Sequence, residues 1–317
     1  MDAGDKYHLT WKVHEALRKE GFDIFGIAEA APYHGDSKNI GSWIAAGRNG
    51  TMTFMERQSE TRGDITKLVE GARSVIVAGL NYYSDEPSAG NDNFFISRYV
   101  RVRDYHEVMN EKLSRIAATI AEESPDAVSH VFCDSAPVTE KSWAIRAGLG
   151  WRGRNSLVLN EDLGSFFFLG EIVTSAVLVF DKPDDSDRCG TCRRCSEACP
   201  TGAICDDRTI DARRCIAYHT IEHKGELPEE FRGKTEKMIF GCDRCQEVCP
   251  WNKKAVHFTD IGLVSASPVT EITREEWMKM TPEEFGRLFL FSPILRTGYN
   301  KIKRNIRFIT DPSPEKR

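Results

Sequence analysis

Cysteine is the residue with the most chemistry to declare in this chain. Nine of the ten cysteines lie between positions 189 and 249. The first run is Cys189-x2-Cys192-x2-Cys195-x3-Cys199-Pro200, and the second is Cys242-x2-Cys245-x3-Cys249-Pro250. Cys-x2-Cys-x2-Cys-x3-Cys-Pro is the bacterial ferredoxin spacing, in which three thiolates wrap one 4Fe–4S cube and the fourth reaches across to a second cube. Applied here, Cys189, Cys192 and Cys195 hold one cluster and Cys249 closes it from the second run. Cys242 and Cys245 hold the other with Cys199 from the first run. The second run lacks its leading cysteine, so Cys205 or Cys215 has to complete that set. Cys205 follows Cys199 by only six residues and needs a tight loop. Cys215, with more freedom to reach, is the preferred ligand, which leaves Cys133 and Cys205 unused.

Zinc ribbons also use paired Cys-x2-Cys units, but they require neither a third cysteine at the same interval nor two x3-Cys-Pro endings. A disulfide framework suits small secreted chains, and the polar start Met1-Asp-Ala-Gly-Asp-Lys carries no secretory signal. Free thiols and oxygen-sensitive clusters point to a reducing cytosol. No run of about 18 apolar residues exists to span a membrane. The net charge of −5 gives no global attraction for nucleic acid. Cations are nevertheless grouped: Arg98, Arg101 and Arg103; Arg146, Arg152 and Arg154; and Arg296, Lys301, Lys303, Arg304 and Arg307. Each group reads as a solvated face or as part of a phosphate-binding surface.

These residues need a scaffold, and the periodicity supplies one. Residues 7–20 predict an amphipathic helix ended by Gly21, and residues 105–123 a longer helix with Val108, Leu113, Ile116 and Ile120 inward. Shorter helices are expected over 37–46, 51–57 and 138–147. Residues 22–27, 74–80 and 128–133 read as strands. Segments 156–160 and 166–180 read as two more strands joined by the turn Glu161-Asp-Leu-Gly. The polar stretch 181–187 reads as a linker. The expected organisation is an α/β (α+β) domain over 1–180, a ferredoxin-like domain with two 4Fe–4S clusters over 181–260, and a short helical, basic tail over 261–317.

Two clusters move electrons singly, and a plain carrier needs little beyond the cluster module. The long segment that precedes it argues for a reaction centre. Asp134 ends a strand, where open sheets place ligand contacts, although helix capping would explain it as simply. Gly148, Gly150 and Gly153 permit close backbone approach to a flat ligand, or serve a helix end and turn. His106 is a candidate metal ligand, general acid or surface residue. Glu140 and Lys141 read as solvated.

Taken together, Asp134-Ser-Ala-Pro-Val-x-Glu-Lys141, Ala147-Gly-Leu-Gly-Trp-x-Gly-x-Asn155, Asp104-Tyr-His106 and Gly241-Cys-Asp-x-Cys-Gln-x-Val-Cys-Pro-Trp-Asn252 resemble the epoxyqueuosine reductases, from about Phe22 to Phe308. The resemblance implies a cobalamin-binding N-terminal domain with the corrin facing the first cluster. It implies reduction of epoxyqueuosine to queuosine at the wobble position of tRNA, the last step of queuosine biosynthesis. Asp134 matches the family's proton donor and sits at the cofactor. Arg57, Asn155, Ser156 and Val158 match positions near the cobalamin, and the family's cluster pairing matches the crossed assignment with Cys215. Desolvation against the corrin should raise the Asp134 pKa so that it can donate. Members often carry C-terminal HEAT-like repeats, and this chain reads as a short form whose tRNA surface comes from the basic groups. Arg101 and Val102 stand where smaller residues are expected. The implied partners are the tRNA and a low-potential electron donor, with a monomeric cytoplasmic enzyme. The competing readings are a corrinoid reductase of the reductive-dehalogenase type and a plain electron-transfer protein.

Overall fold

Ser74–Asn81 has no polar alternation, and all eight of its residues are buried. Such a strand must be covered on both faces, and the architecture is built around it. The computed structural model describes residues 3–32, 34–57, 59–85, 93–265 and 269–311. Within them the strands are β1 (Ile24–Glu29), β2 (Ser74–Asn81), β3 (Phe95–Ile96), β4 (Ser129–Phe132), β5 (Trp151–Arg152), β6 (Val158–Leu159), β7 (Phe167–Thr174) and β8 (Met238–Phe240). The main sheet has the order β1-β2-β7-β4, and every neighbouring pair is antiparallel.

Side chains alternate across β2 and divide the apolar residues between two layers. Ile76, Ala78 and Leu80 meet Leu9, Val13 and Leu17 of the Ala3–Lys19 helix and Met109, Leu113 and Ile116 of the Tyr105–Glu123 helix. Val75 and Val77 meet Trp143 and Ala144 of the Glu140–Arg146 helix on the opposite face. Each such aliphatic contributes about 1.5–3 kcal/mol by leaving water. A further core stands apart from the sheet. There β3 pairs in parallel with β8, and Phe94, Ile96 and Val100 join Ile239, Phe240, Trp277, Phe285, Phe289, Ile302 and Ile306. Residues 94–100 therefore belong to the same core as the helices that follow the cysteine segment.

The 105–123 helix has the expected bounds, and the shorter helices fall within a few residues of theirs, as Phe54–Arg57 and Glu140–Arg146 do. Four features differ from expectation. The sheet is antiparallel, so the rule that places ligands at the open end of parallel strands does not position Asp134; it follows edge strand β4. The strand at Val158–Leu159 pairs with β5, not with β7. The turn between them closes on itself through Asn160 and Gly164, and Asn252 docks it by accepting the Ser165 N–H at 2.7 Å. The polar stretch at 181 is anchored, since Asp181 N donates to the Ile27 carbonyl and Asp181 Oδ2 accepts from Ile27 N, each at 2.8 Å.

The C-terminal basic stretch is also largely committed to the protein itself. Lys301 donates to the Ile221 carbonyl, Lys303 to Met278, and buried Arg304 to His219, His223 and Gly225. These carbonyls lie at the ends of the Ile216–Ile221 and Arg274–Lys279 helices, which favour cations. Arg146, Arg154 and Arg98 likewise hold the carbonyls of Glu29, Gly190 and Ser84. Arg101 is buried with a bond to the Ile96 carbonyl, and Val102 lies in the sheet core. Many of the grouped cations thus hold main-chain carbonyls of the protein itself.

Candidate functional site

Asp134 leaves β4 in a left-handed conformation, φ 48°, uncommon for a residue with a Cβ. Its backbone N–H is held by Glu140 Oε1 at 2.5 Å, which fixes the turn and sends the carboxylate outward. Thr139, not Asp134, occupies the N-cap position of the following helix. The Asp134 carboxylate accepts a 2.8 Å hydrogen bond from Tyr105 Oη, and His106 Nε2 stands 3.7 Å from the same oxygen. Asp104 caps the Tyr105–Glu123 helix and faces His106 Nδ1 at 2.6 Å. Arg296 approaches His106 Nε2 at 2.5 Å. A neutral ring accepts that arginine N–H, whereas a protonated ring turns its Nε2–H toward Asp134 and repels Arg296.

The electrostatics follow these contacts. Burial pushes the Asp134 carboxyl upward, but the His106 and Tyr105 bonds and the charge of His106 and Arg296 outweigh it and hold it below the ordinary aspartate value. This is opposite to the raised pKa expected of a proton donor. The side chain is 62 % exposed, so water reaches it, even though protein atoms surround it on most sides. For His106, burial lowers the pKa, and Asp104 and Asp134 more than reverse that. Tyr105 is pushed up by burial and by Asp134, so it remains a donor.

Asp134 lies on the wall of an open cavity of about 430 Å³. Trp43, Phe54 and Met55 give that cavity an apolar side, and Lys141, Arg152 and Ser156 a polar one. Phe54 is 49 % exposed there. Glu140 and Lys141, read as solvated, both line this cavity. Ser156 is also left-handed, φ 63°. Asn155 is buried, and its side chain lies against Cys245. Arg57 is exposed two residues beyond Met55 and is not part of the lining. Val158 points into the core beside Trp143 and Leu149. Gly148 and Gly150 are required by the chain itself: a Cβ would stand 2.6 Å from the Lys182 carbonyl at one and 2.0 Å from the Leu159 carbonyl at the other. The helix-end and turn reading therefore accounts for both.

The cysteines fall into two neighbourhoods. Cys195 and Cys249 each couple electrostatically to Cys189, and Cys249 also to Cys192. Cys215 couples to Cys199, Cys242 to Cys215 and Cys199, and Cys245 to Cys242 and Cys215. Burial raises the thiols of Cys195, Cys215 and Cys249, and pushes Cys242 to about 12 and Cys245 well above its ordinary value. Such thiols ionise only when a metal compensates the charge, which is the condition a cluster supplies. No three His, Cys, Asp or Glu side chains among the described residues converge on a single ion; a cube spreads its four thiolates farther apart than one tetrahedral metal does. Cys205 lies with Arg48 and Arg213, outside both sets. Cys133 is buried under the sheet. Cavity residue Lys141 faces Cys245 and Cys215, and buried Asn155, next to cavity residue Ser156, also lies against Cys245. The second set, not the first as expected, is therefore the one beside the cavity.

Sequence reasoning missed Arg296 as a site residue and left Tyr105 without a role. Glu171 was missed too, although a single acid inside the apolar run Phe166–Phe180 was a visible signal.

Comparison with known proteins bears on this geometry. Residues 188–252 match a family model described as a 4Fe-4S double cluster binding domain, and residues 62–135 one described as epoxyqueuosine reductase QueG, DUF1730. The chain is 41% identical over 301 residues to the epoxyqueuosine reductase of Cyclobacterium marinum, covering 95% of this chain and 96% of that one. It is similar to a crystal structure of epoxyqueuosine reductase with an epoxyqueuosine-modified tRNA-Tyr stem loop (TM-score 0.87, 28% identity, 95% and 80% of the two chains). It is also similar to the Bacillus subtilis enzyme with its catalytic aspartate loop swung out of the active site (TM-score 0.85, 27% identity, 95% and 80%).

Proposed function

The chain belongs to the epoxyqueuosine reductase family, and from that membership we infer that it reduces epoxyqueuosine to queuosine in tRNA at the site built around Asp134. The observation that carries this reading is Asp134, held by Tyr105 and approached by His106, on the wall of a cavity whose Lys141 interacts electrostatically with Cys245.

In this reading Cys189, Cys192, Cys195 and Cys249 hold one 4Fe–4S cluster, and Cys199, Cys215, Cys242 and Cys245 the other. The raised, mutually coupled thiols fit that demand. Trp43, Phe54, Met55, Arg152 and Ser156 of the cavity would hold cobalamin, with Asn155 beside them. Val158 contributes through its main chain, and Arg57 at the rim. When bound, the clusters pass electrons one at a time and the cobalt centre collects the two that the reaction consumes.

The protein's own part is protonic and positional. The epoxide oxygen gains negative charge as its bonds to carbon break and needs a proton at that moment. Asp134, on the cavity wall, is the donor, and it is also a cofactor contact. Its lowered pKa in the open site is the work of Tyr105, His106 and Arg296. Covering the site with a nucleoside excludes water and strengthens the burial effect that opposes them. Protonated His106 is placed to pass its Nε2 proton to Asp134 Oδ2. A low-potential one-electron donor is required, and the enzyme acts as a monomer in the cytoplasm, where its tRNA is found.

The test is anaerobic turnover of the cluster-loaded protein with cobalamin, a strong one-electron reductant and epoxyqueuosine-containing tRNA, followed by mass spectrometry of the nucleosides. Loss of one oxygen mass, dependent on cobalamin, is the expected result; an unchanged nucleoside with all cofactors bound overturns the assignment.

A further inference from the structure

Reduction of an epoxide to an alkene breaks two C–O bonds and releases the oxygen as water, so each turnover takes up two electrons and two protons. Asp134 carries one proton. A second must reach the same oxygen, and the structure contains an unusual store directly behind Asp134.

Glu171 lies at the middle of the sheet, paired with Phe132 of β4 and Val77 of β2. Its alternate neighbours Phe167 and Val173 face the core under the Glu140–Arg146 helix, so Glu171 faces that helix too. It is 0 % exposed, and among the described residues neither carboxyl oxygen has a hydrogen-bond partner. Glu140 opens the helix above it and holds the Asp134 N–H through Oε1. The other charged and titratable groups that face the two are Asp134 and Cys133 after β4, Lys141 on the helix, Arg62 from the Ser59–Arg62 turn and His106 from the Tyr105–Glu123 helix. None of these cations makes an ion pair with Glu171 in the described residues.

We propose that Glu140 and Glu171 form a shared-proton carboxyl pair that passes the second proton of each turnover to Asp134; this rests on the epoxide-reduction reading. A fully buried carboxylate facing a half-buried one resists ionising together with it, and burial followed by the charge of its neighbours pushes each of them upward. After Asp134 protonates the departing oxygen it is a carboxylate, and the Glu140 proton moves to it and on to the hydroxide. Glu140 is left ionised and draws its replacement from solvent through the cavity. The hydroxide is the strongest base in the chain of transfers, so the sequence runs downhill.

Infrared difference spectroscopy of the cluster-loaded protein without tRNA tests the pair independently of turnover. The C=O stretch of a protonated carboxyl should persist at pH 7 in the wild type and be lost or titrate at lower pH in Glu171→Gln, where Glu140 no longer has a like charge beside it. In turnover, Glu171→Gln should move the alkaline fall of the rate to lower pH, while Glu140→Gln should slow turnover at least tenfold with cobalamin and tRNA affinity retained. A wild type with no protonated carboxyl at pH 7, or a Glu171→Gln enzyme with the wild-type pH profile, overturns the proposal. A wild type that shows the carboxyl band but reduces no epoxide refutes the reaction instead of the pair.

Discussion

Substituting Glu171 by Gln keeps the side-chain volume and removes one ionisable group from the centre of the sheet. Burial, then the charges of Glu140 and Asp134, hold the Glu171 pKa well above its ordinary 4.5 in the folded chain. Above pH 4.5 the unfolded chain has therefore lost this proton while the folded chain keeps it. Fewer protons on the unfolded state means that stability falls as pH rises, by about 1.4 kcal/mol per pH unit for one group. The loss begins at the unfolded value and ends only above the folded one. With a folded value above pH 7, the loss between pH 5 and pH 7 amounts to roughly 2.7 kcal/mol. Glutamine has no such dependence, so the variant should gain on the wild type by about 2–3 kcal/mol over that interval. Anaerobic urea unfolding followed by far-UV circular dichroism at pH 5, 6 and 7 reads the difference. With a slope of about 2–3 kcal/mol per molar, the two midpoints should separate by roughly 1 M. Midpoints that keep a constant offset at all three pH values would show that Glu171 is ionised and compensated in the fold, and would refute the reasoning.

Four other outcomes follow from the same contacts. Asp134→Asn should lower single-turnover reduction by roughly 10²–10⁴-fold, with clusters and cobalamin still bound; undiminished turnover would remove its donor role. Tyr105→Phe deletes a hydrogen bond to a charged group worth about 1.5–3 kcal/mol, so the Asp134 carboxyl should titrate at higher pH, visible in its infrared carboxylate band. Cys215→Ser should halve the iron content measured by colorimetric assay, while Cys205→Ser leaves it unchanged; the reverse pattern would exchange their assignments. Arg304→Met strips three carbonyls of their cationic partner and should cost about 3–5 kcal/mol, seen as a lower thermal midpoint.

The cysteine spacing was readable because cluster ligation is local in sequence: a turn that presents three thiolates is specified by the intervals between them. The long helix at 105–123 was readable for the same reason, since its apolar period needs no partner to be seen. Pairing was less legible. Val158–Leu159 has the composition of a strand, yet nothing local decides between β5 and β7 as its neighbour. The fate of the cations was also hidden. Lys301, Lys303 and Arg304 form a basic run in one dimension, but the helix ends that hold them come from residues 216–225 and 274–279. Asp134 was picked out by its motif, while its charge state depends on burial and on His106 and Tyr105 from another helix, with a smaller part from Arg296, more than 160 residues away. Glu171 was misread by omission, because an acid in a buried strand is invisible to a pattern that scores only apolar runs.

The parallel pairing of β3 with β8 sets a schedule for synthesis. Phe94, Ile96 and Val100 leave the ribosome early, but their partners extend to Ile306, about 210 residues later. At about 5–20 residues per second, these apolar side chains wait roughly 10–40 s before the core that covers them can close. During that interval the cysteine segment also emerges, with its N-terminal supports at Ser97 and Arg98 already made and its C-terminal ones still missing. Nascent chains should therefore depend on chaperones in this window, and cluster insertion should follow release of the finished chain.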